Sequence, residues 1–519
     1  MRTRSNVVTL IEASNNKDNP DWPDALLSYQ KGVAAMRAKD PVGTNPPVDH
    51  LSWQYLAAVH GRPTMGKKGP ALDESDPLWS KCQHGSWFFF PWHRMYLLTL
   101  ESFIRHFSGD ADWSVPYWYA VDPDTPKSDV LPNAFLDASG GNALYVKERS
   151  TFAQAGQPIF GSVIWKLLSA DFITNLGQRI FSVSQDAVPI DNYFGFGGAE
   201  YNDQNFNHGH NGAIESIPHA WVHNYVGNDF DRDGNRVGPE GFMSDLMQAS
   251  RDPIFYLHHA NIDRLWQMWL DLDPAHKNSH DNDWLTSSFT FPTPDGGTQQ
   301  WEVQDVLDTT ELGYVYDTVA PPTKFAAAPV GRGPAAQEVV AKVSAPTPAQ
   351  RPEVIGATVR VPLIADHRAD IPLSAPSAPS RALAPDSGAP ARHQWLLSLE
   401  GITGTVSTSG YGVYVNVPPG AVAAEHPELL AGIVSTFGVR SASLPRGQHG
   451  GSGLTFVFDI TGVHDALEAD GRWDPGNVNV VFVPLVPPVT DEAALAERRA
   501  AAPPSTPDLQ VTRIAVLVR

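Results

Sequence analysis

The stretch Asp252-Pro-Ile-Phe-Tyr-Leu-His-His-Ala-Asn-Ile-Asp263 decides how this chain is read. Two adjacent histidines sit in an apolar run that opens with Asp-Pro, a good cap and first-turn pair for a helix. A run from Asp252 to Leu272 is therefore expected to be helical. On it His258 and His259 point roughly 100° apart, so one of the two faces a shared site and the other packs or supports it. Upstream, His219 and His223 are four apart and share a face if Ile217 to Val226 is helical. Such a pair is common on solvated helices, and Ala220 stands where the zinc-protease pattern H-E-x-x-H needs glutamate.

A second cluster lies in His84-Gly-Ser-Trp-Phe-Phe-Phe-Pro-Trp-His93-Arg-Met-Tyr-Leu-Leu-Thr-Leu-Glu101, with His60 before it. Phe88 to Phe107 has apolar positions at helical spacing, with Pro91 in the tolerated first turn. Leu51 to His60 reads as another helix, whereas Gly85 keeps His84 off any regular element. Two sets of three histidines with no carboxylate among them suit copper: neutral imidazoles leave Cu(I) electron-rich enough to reduce dioxygen. Phe88, Phe89, Phe90 and Trp92 are placed to wall such a site from water, and they equally suit an ordinary core.

The chain has 519 residues, 42% hydrophobic content and 15 tryptophans, which fits a buried globular core. Net charge is −20 and no Lys/Arg run exceeds a pair, which argues against nucleic acid and anionic membrane as partners. No stretch approaches the ~18–20 apolar residues of a membrane span. The N-terminus has a basic start but a short apolar run broken by Glu12 and no cleavage pattern, so a cytoplasmic location is expected. One cysteine, Cys82, excludes an intrachain disulfide.

Every histidine motif lies in residues 1–325, which read as a mainly α catalytic domain, a helical bundle around a dicopper site. The stretches 109–160 and 273–312 read as loop-rich. Residues 326–352 are an Ala/Pro-rich linker. From 353 to 519 the period changes from 3.6 to 2, and Trp395–Leu399, Gly412–Val417, Leu454–Asp459, Asn477–Val483 and Val511–Leu517 read as strands. These imply an all-β sandwich, with a Pro/Ser/Ala-rich loop at 372–390.

Both histidine stretches resemble the copper signatures of type 3 copper proteins, the tyrosinases, catechol oxidases and haemocyanins. The likeness rests on His84, Phe89, Trp92-His93-Arg94 and Glu101 in one, and on Asp252-Pro253, Phe255, His259 and Asp263 in the other. It implies two copper ions on His60, His84, His93 and on His219, His223, His259, with dioxygen as co-substrate. Phe89, Phe90, Phe255 and Asp263 would support them. Cys82-Gln83-His84 resembles the Cys-x-His whose thiol is bonded to the histidine ring. Glu215, four before His219, resembles a glutamate that holds a water for the phenol proton; a helix first-turn glutamate is the bland alternative.

The family often places Asn directly after the first ligand of the second copper. Here that position is Ala220, and an asparagine follows the second ligand, as Asn224. The departure weakens the expectation of monophenol hydroxylation. The implied activity is oxidation of o-diphenols to o-quinones, acting on a small phenolic partner; homo-oligomers stay open. An o-aminophenol oxidase is the alternative, and a haemocyanin-like oxygen carrier ranks lower. Tyr314 and Tyr316 resemble a structural Tyr-x-Tyr, and His208 and His210 read as loop residues. Proteins of this kind with a C-terminal β-domain suggest latency, with Tyr411 and Phe437 as candidate blockers.

Overall fold

A computed structural model describes residues 1–323, 352–376, 393–444, 451–487 and 508–519, except 17–18, 43–46, 67–68, 126 and 186–193, plus a few positions in 493–500. The linker expected at 326–352, apart from Pro352, and most of the loop at 372–390 lie outside the described residues.

The N-terminal region is organised by helices Asp24–Arg37, Trp53–His60, Phe89–Ser108, Gly161–Leu176, Ala220–Gly227 and Ile254–Leu272. Phe89–Ser108 and Ile254–Leu272 are almost wholly buried and pack on each other. They are held by one buried charge network. Asp263 accepts from Arg94 at 2.6 Å, Arg4 at 2.9 Å, Tyr314 at 2.7 Å and Tyr316 at 2.5 Å. Arg4 also pairs with Glu101 at 2.9 Å. The terminal strand Arg2–Arg4 runs parallel to Tyr314–Tyr316, so the first and last strands of this region converge on the same carboxylate.

Helix limits are close to those expected, with one exception that bears on the site. The helix expected over Ile217 to Val226 begins only at Ala220. Glu215–His219 is a wider turn with Ile217 extended (φ −142°, ψ 118°) and a cis Ile217–Pro218 bond. Pro218 has no N–H to give a helix ladder. Glu215 and His219 are thus related by this turn, not by a regular helical face. The stretch 109–160 is largely irregular as expected, but 273–312 contains a hairpin, Ser288–Pro292 with Thr298–Glu302.

The C-terminal region holds two four-stranded sheets. One has the order Glu353–Pro362, Gln510–Val518, Trp395–Thr403, Leu454–Asp459; the other has Arg368–Pro372, Asn477–Leu485, Gly410–Val415, Leu430–Val434. All described pairings within them are antiparallel. Leu397, Leu399 and Phe456 of the first share an apolar core with Val413, Val480 and Phe482 of the second. Among the described residues no helix is long and apolar enough to cross a membrane.

Candidate metal centre

His60 ends the helix Trp53–His60, whose first turn is capped by Ser52 Oγ accepting from Tyr55 N–H at 3.1 Å. His93 lies one turn into Phe89–Ser108. His84 sits on irregular chain, fixed because Gly85 takes φ 63° and a Cβ there would meet Gly209 N at 2.3 Å. The donor atoms of His60, Cys82, His84 and His93 lie within 4.8 Å of one another, all buried. The second group is His219, His223, His258 and His259, equally close and equally buried. The groups adjoin: the His93 and His259 rings stack at 4.2 Å and 11°.

Hydrogen bonds set which nitrogen faces inward. Nδ1 of His93, His219 and His223 lies 2.7, 3.1 and 2.8 Å from the carbonyls of Phe89, Glu215 and Met243. A proton on Nδ1 leaves Nε2 as a lone pair, the form a metal takes. His223 Nε2 and His259 Nε2 are 3.2 Å apart. His219 Nε2, His259 Nδ1 and both ring nitrogens of His60 are buried without partners. Burial holds His93 and His223 down at about 3 and the other ring pKa values well below the ordinary histidine value, so the imidazoles are neutral. Each neutral ring keeps one nitrogen as an unprotonated lone pair, and such buried lone pairs fit a bound cation pair.

His258 hydrogen-bonds the backbone of His219 and stacks on its ring at 5.5 Å and 16°. It braces His219 from behind. His208 and His210 lie outside both groups; His208 stacks on Tyr201 at 3.7 Å and His210 is 2.6 Å from the Tyr201 hydroxyl. Cys82 Sγ is 3.4 Å from Nδ1 and 3.9 Å from Nε2 of His84, facing the ring edge between them, and 3.3 Å from His93 Nε2.

Among the aromatics, Phe255 packs on His259 at 4.1 Å and His60 at 4.8 Å, and Phe89 on His93 at 4.7 Å and His219 at 4.8 Å. Phe90 instead stacks on Phe196 at 5.1 Å and belongs to the surrounding core. Asp263 acts at a distance, through Arg94 on the His93 helix. Met243 and Phe206 were invisible as site residues in the sequence, since a carbonyl carries no side-chain signal. Phe206 hydrogen-bonds His84 through its backbone and lies 6.1 Å from its ring.

Glu215 is buried and accepts from Gly85 N–H at 2.8 Å; burial pushes its pKa up to about 8. It lines a cavity of about 10 Å³ with His84, Asn207, Asn211, His219, Leu246, Phe437 and Gly438. Ala220 is buried and adds no polar group. Asn224 points elsewhere: its Nδ2 donates to Thr408 O at 2.9 Å, across to the C-terminal region. Phe437 comes from that region and stacks on His223 at 4.5 Å and 12°. Tyr411 is buried in the core between the two sheets, so it is not the residue over the histidines.

A helical region carrying two adjoining clusters of buried neutral histidines fits a pair of metal ions. Known proteins agree. Residues 50–272 match the common central domain of tyrosinase, 278–329 the polyphenol oxidase middle domain, and 351–498 a domain of unknown function. The chain is 30% identical to tyrosinase HcTyr1 of Hahella sp. (strain CCB-MM4) over 93% of its length and 95% of that protein. It therefore belongs to the tyrosinase family and is a copper-dependent phenol oxidase. It is 31% identical to the latent polyphenol oxidase of Prunus armeniaca, over 58% of this chain and 47% of that one. Latent apple tyrosinase shares the fold, with TM-score 0.59 and 23% identity over 100% of this chain and 97% of that one.

The cytoplasmic location expected from the N-terminus does not stand. Relatives from Prunus armeniaca, Vicia faba, Solanum lycopersicum and Malus domestica are chloroplastic. An address is carried by a segment apart from the folded catalytic region, so neither the fold nor a missing signal pattern fixes the compartment.

Proposed function

We propose that the chain oxidises o-diphenols to o-quinones with dioxygen, two copper ions being held by His60, His84, His93 and by His219, His223, His259. The observation that carries this is the set of buried ring nitrogens gathered in two adjoining groups, several without a hydrogen-bond partner. When bound, a copper pair supplies electron transfer between phenol and dioxygen. Each diphenol gives up two electrons and two protons, and two turnovers reduce one dioxygen to two waters.

The chain's own residues supply geometry, dryness and a proton path. Carbonyls of Phe89, Glu215 and Met243 fix three of the rings. Phe89 and Phe255 exclude water. Glu215 is the group that holds a water and moves the phenol proton, its high pKa falling when cations bind nearby. Cys82 and His84 are set for a thioether, a two-electron oxidation in which the S–H and ring C–H hydrogens would pass to dioxygen, the oxidant of the proposed activity.

In this reading residues 1–325 are a helical bundle around the dicopper site and 353–519 a β-sandwich that covers it, joined by 326–352. The cavity supports latency. About 10 Å³ suits roughly one water, whereas pockets for organic ligands run to roughly 300 Å³ and above. Phe437 is the blocker in this reading.

Oxygen uptake by copper-loaded protein, with L-tyrosine and L-DOPA side by side, tests the proposal. Uptake with L-DOPA alone gives a catechol oxidase; uptake with both gives a tyrosinase that tolerates Ala220. Uptake with neither after displacing the cover, but with o-aminophenol, would refute it in favour of an aminophenol oxidase.

A further inference from the structure

A second cleft, of about 320 Å³, is lined in part by Trp53 and Gln54 of the His60 helix. Its walls combine the aromatic rings of Trp53, Tyr145 and Phe242 with the guanidiniums of Arg37 and Arg251. Lys147 stands exposed at its edge. None of these residues lines the cavity beside Glu215.

Both arginines are half-buried; Asp252 and Asp40 act on Arg37 and Glu148 and Asp40 on Arg251 through space, with no direct ion pair to either among the described residues. Arg37 ends the helix Asp24–Arg37, and its Nε is shut off from solvent with no hydrogen-bond partner. Among the described residues Arg37 enters no ion pair. Arg251 lies over the Phe242 ring at 4.2 Å and, among the described residues, donates to the Gln248 amide oxygen at 2.8 Å. Its carbonyl is held by Trp53 Nε1 at 3.0 Å, which fixes the cleft floor. Two carboxylates also face the cleft. Asp40 is engaged by the Gln54 N–H at 2.8 Å, and Glu148 faces Lys147 at 3.9 Å. Burial pulls both guanidiniums below the ordinary arginine value.

We infer that this cleft is a binding site for an aromatic monocarboxylate, separate from the metal centre. The carboxylate takes the free N–H groups of Arg37 and Arg251 in charge-assisted hydrogen bonds. The ring lies among Trp53, Tyr145 and Phe242, where flat apolar area and π faces are available. A bare anion would leave that aromatic wall wet, and an uncharged ring would leave Arg37 unpaired. Both halves of the ligand are therefore required. The site does not depend on the copper reading, because none of its residues is a proposed copper ligand.

The test is isothermal titration calorimetry of the full chain with trans-cinnamate, copper-loaded and copper-free. One equivalent is expected to bind in both states, since the small cavity under Phe437 has no room for it. Acetate and cinnamyl alcohol should each bind at least about tenfold more weakly, and Arg37→Gln and Arg251→Gln should each cost cinnamate about tenfold. Should either variant misfold, Lys147→Glu at the exposed edge carries the test, with a loss of about fivefold. Binding that disappears with copper and ignores Arg37→Gln would place the ligand at the metal centre and overturn the inference. Equal affinity for acetate, or no heat with cinnamate, would overturn it as well.

Discussion

Replacing Phe437 by alanine tests whether the C-terminal region closes the site. The ring is 4% exposed and stacks on His223 at 4.5 Å, with His219 at 5.8 Å. Burying a phenylalanine is worth about 2 kcal/mol. If that contact holds the closed form, the open fraction is about 3%, and removing it raises the competent population to about half, roughly fifteenfold. Phe437→Ala should therefore oxidise L-DOPA without acid, detergent or proteolysis at about fifteen times the parent rate. It should also unfold more easily, by about 3 kcal/mol. Oxygen uptake is measured on samples matched for copper content, so that loss of metal cannot mimic loss of access. A rate within twofold of the parent at equal copper would refute Phe437 as the gate.

Asp263→Asn should cost about 3–5 kcal/mol in a urea melt, because it leaves Arg94 as a buried charge without a counter-ion and Arg4 with Glu101 alone. An effect below 1 kcal/mol would show that the network does not hold the two helices. Intact copper-loaded protein should weigh two hydrogens less than its sequence, and Cys82→Ser should restore the sequence mass; a full-mass parent would rule out the thioether. Asp129 is pushed up to about 6 by burial, from an ordinary value near 4. The folded state keeps its proton while the unfolded state loses it, so stability is lost as pH rises from about 4 to 6. Asp129→Asn should then gain on the parent by up to about 3 kcal/mol between pH 4 and 7 in urea melts; a constant difference would refute the shift.

The metal-centre histidines were legible because helical spacing and apolar flanks constrain them in sequence. Helices Trp53–His60, Phe89–Ser108 and Ile254–Leu272 fell within two residues of their expected ends. The five expected strands exist, but Glu353–Pro362, Arg368–Pro372 and Leu430–Val434 were missed. Leu430–Val434 is a short buried run, which periodicity cannot separate from helix. The helix at Asp24–Arg37 was also missed. The turn at Glu215–His219 escaped because one proline changes the geometry while histidine spacing stays the same. Arg4 gave no signal, since its partners Glu101 and Asp263 lie 97 and 259 residues away.

The Ala220 departure takes a physical meaning from where Asn224 points. The helix Ala220–Gly227 holds His223 on one side and the C-terminal region on the other. Asn224 donates to Thr408 O, the Tyr225 hydroxyl donates to Leu485 O, and Gly410 N–H donates back to that hydroxyl at 3.1 Å. Gly410 lies so close to Trp221 that a Cβ would meet the indole at 2.1 Å. Asn224 is committed to the C-terminal region and Ala220 adds no polar group, while Asn207 and Asn211 line the cavity with Glu215. Displacing the cover therefore removes hydrogen bonds from the same helix that positions a proposed copper ligand. Opening by removal of the C-terminal region should loosen His223, whereas Phe437→Ala opens the site and leaves those anchors in place. On that reasoning a truncated chain should lose copper to a chelator faster than Phe437→Ala does, and equal rates would show that the anchors do not steady the ligand.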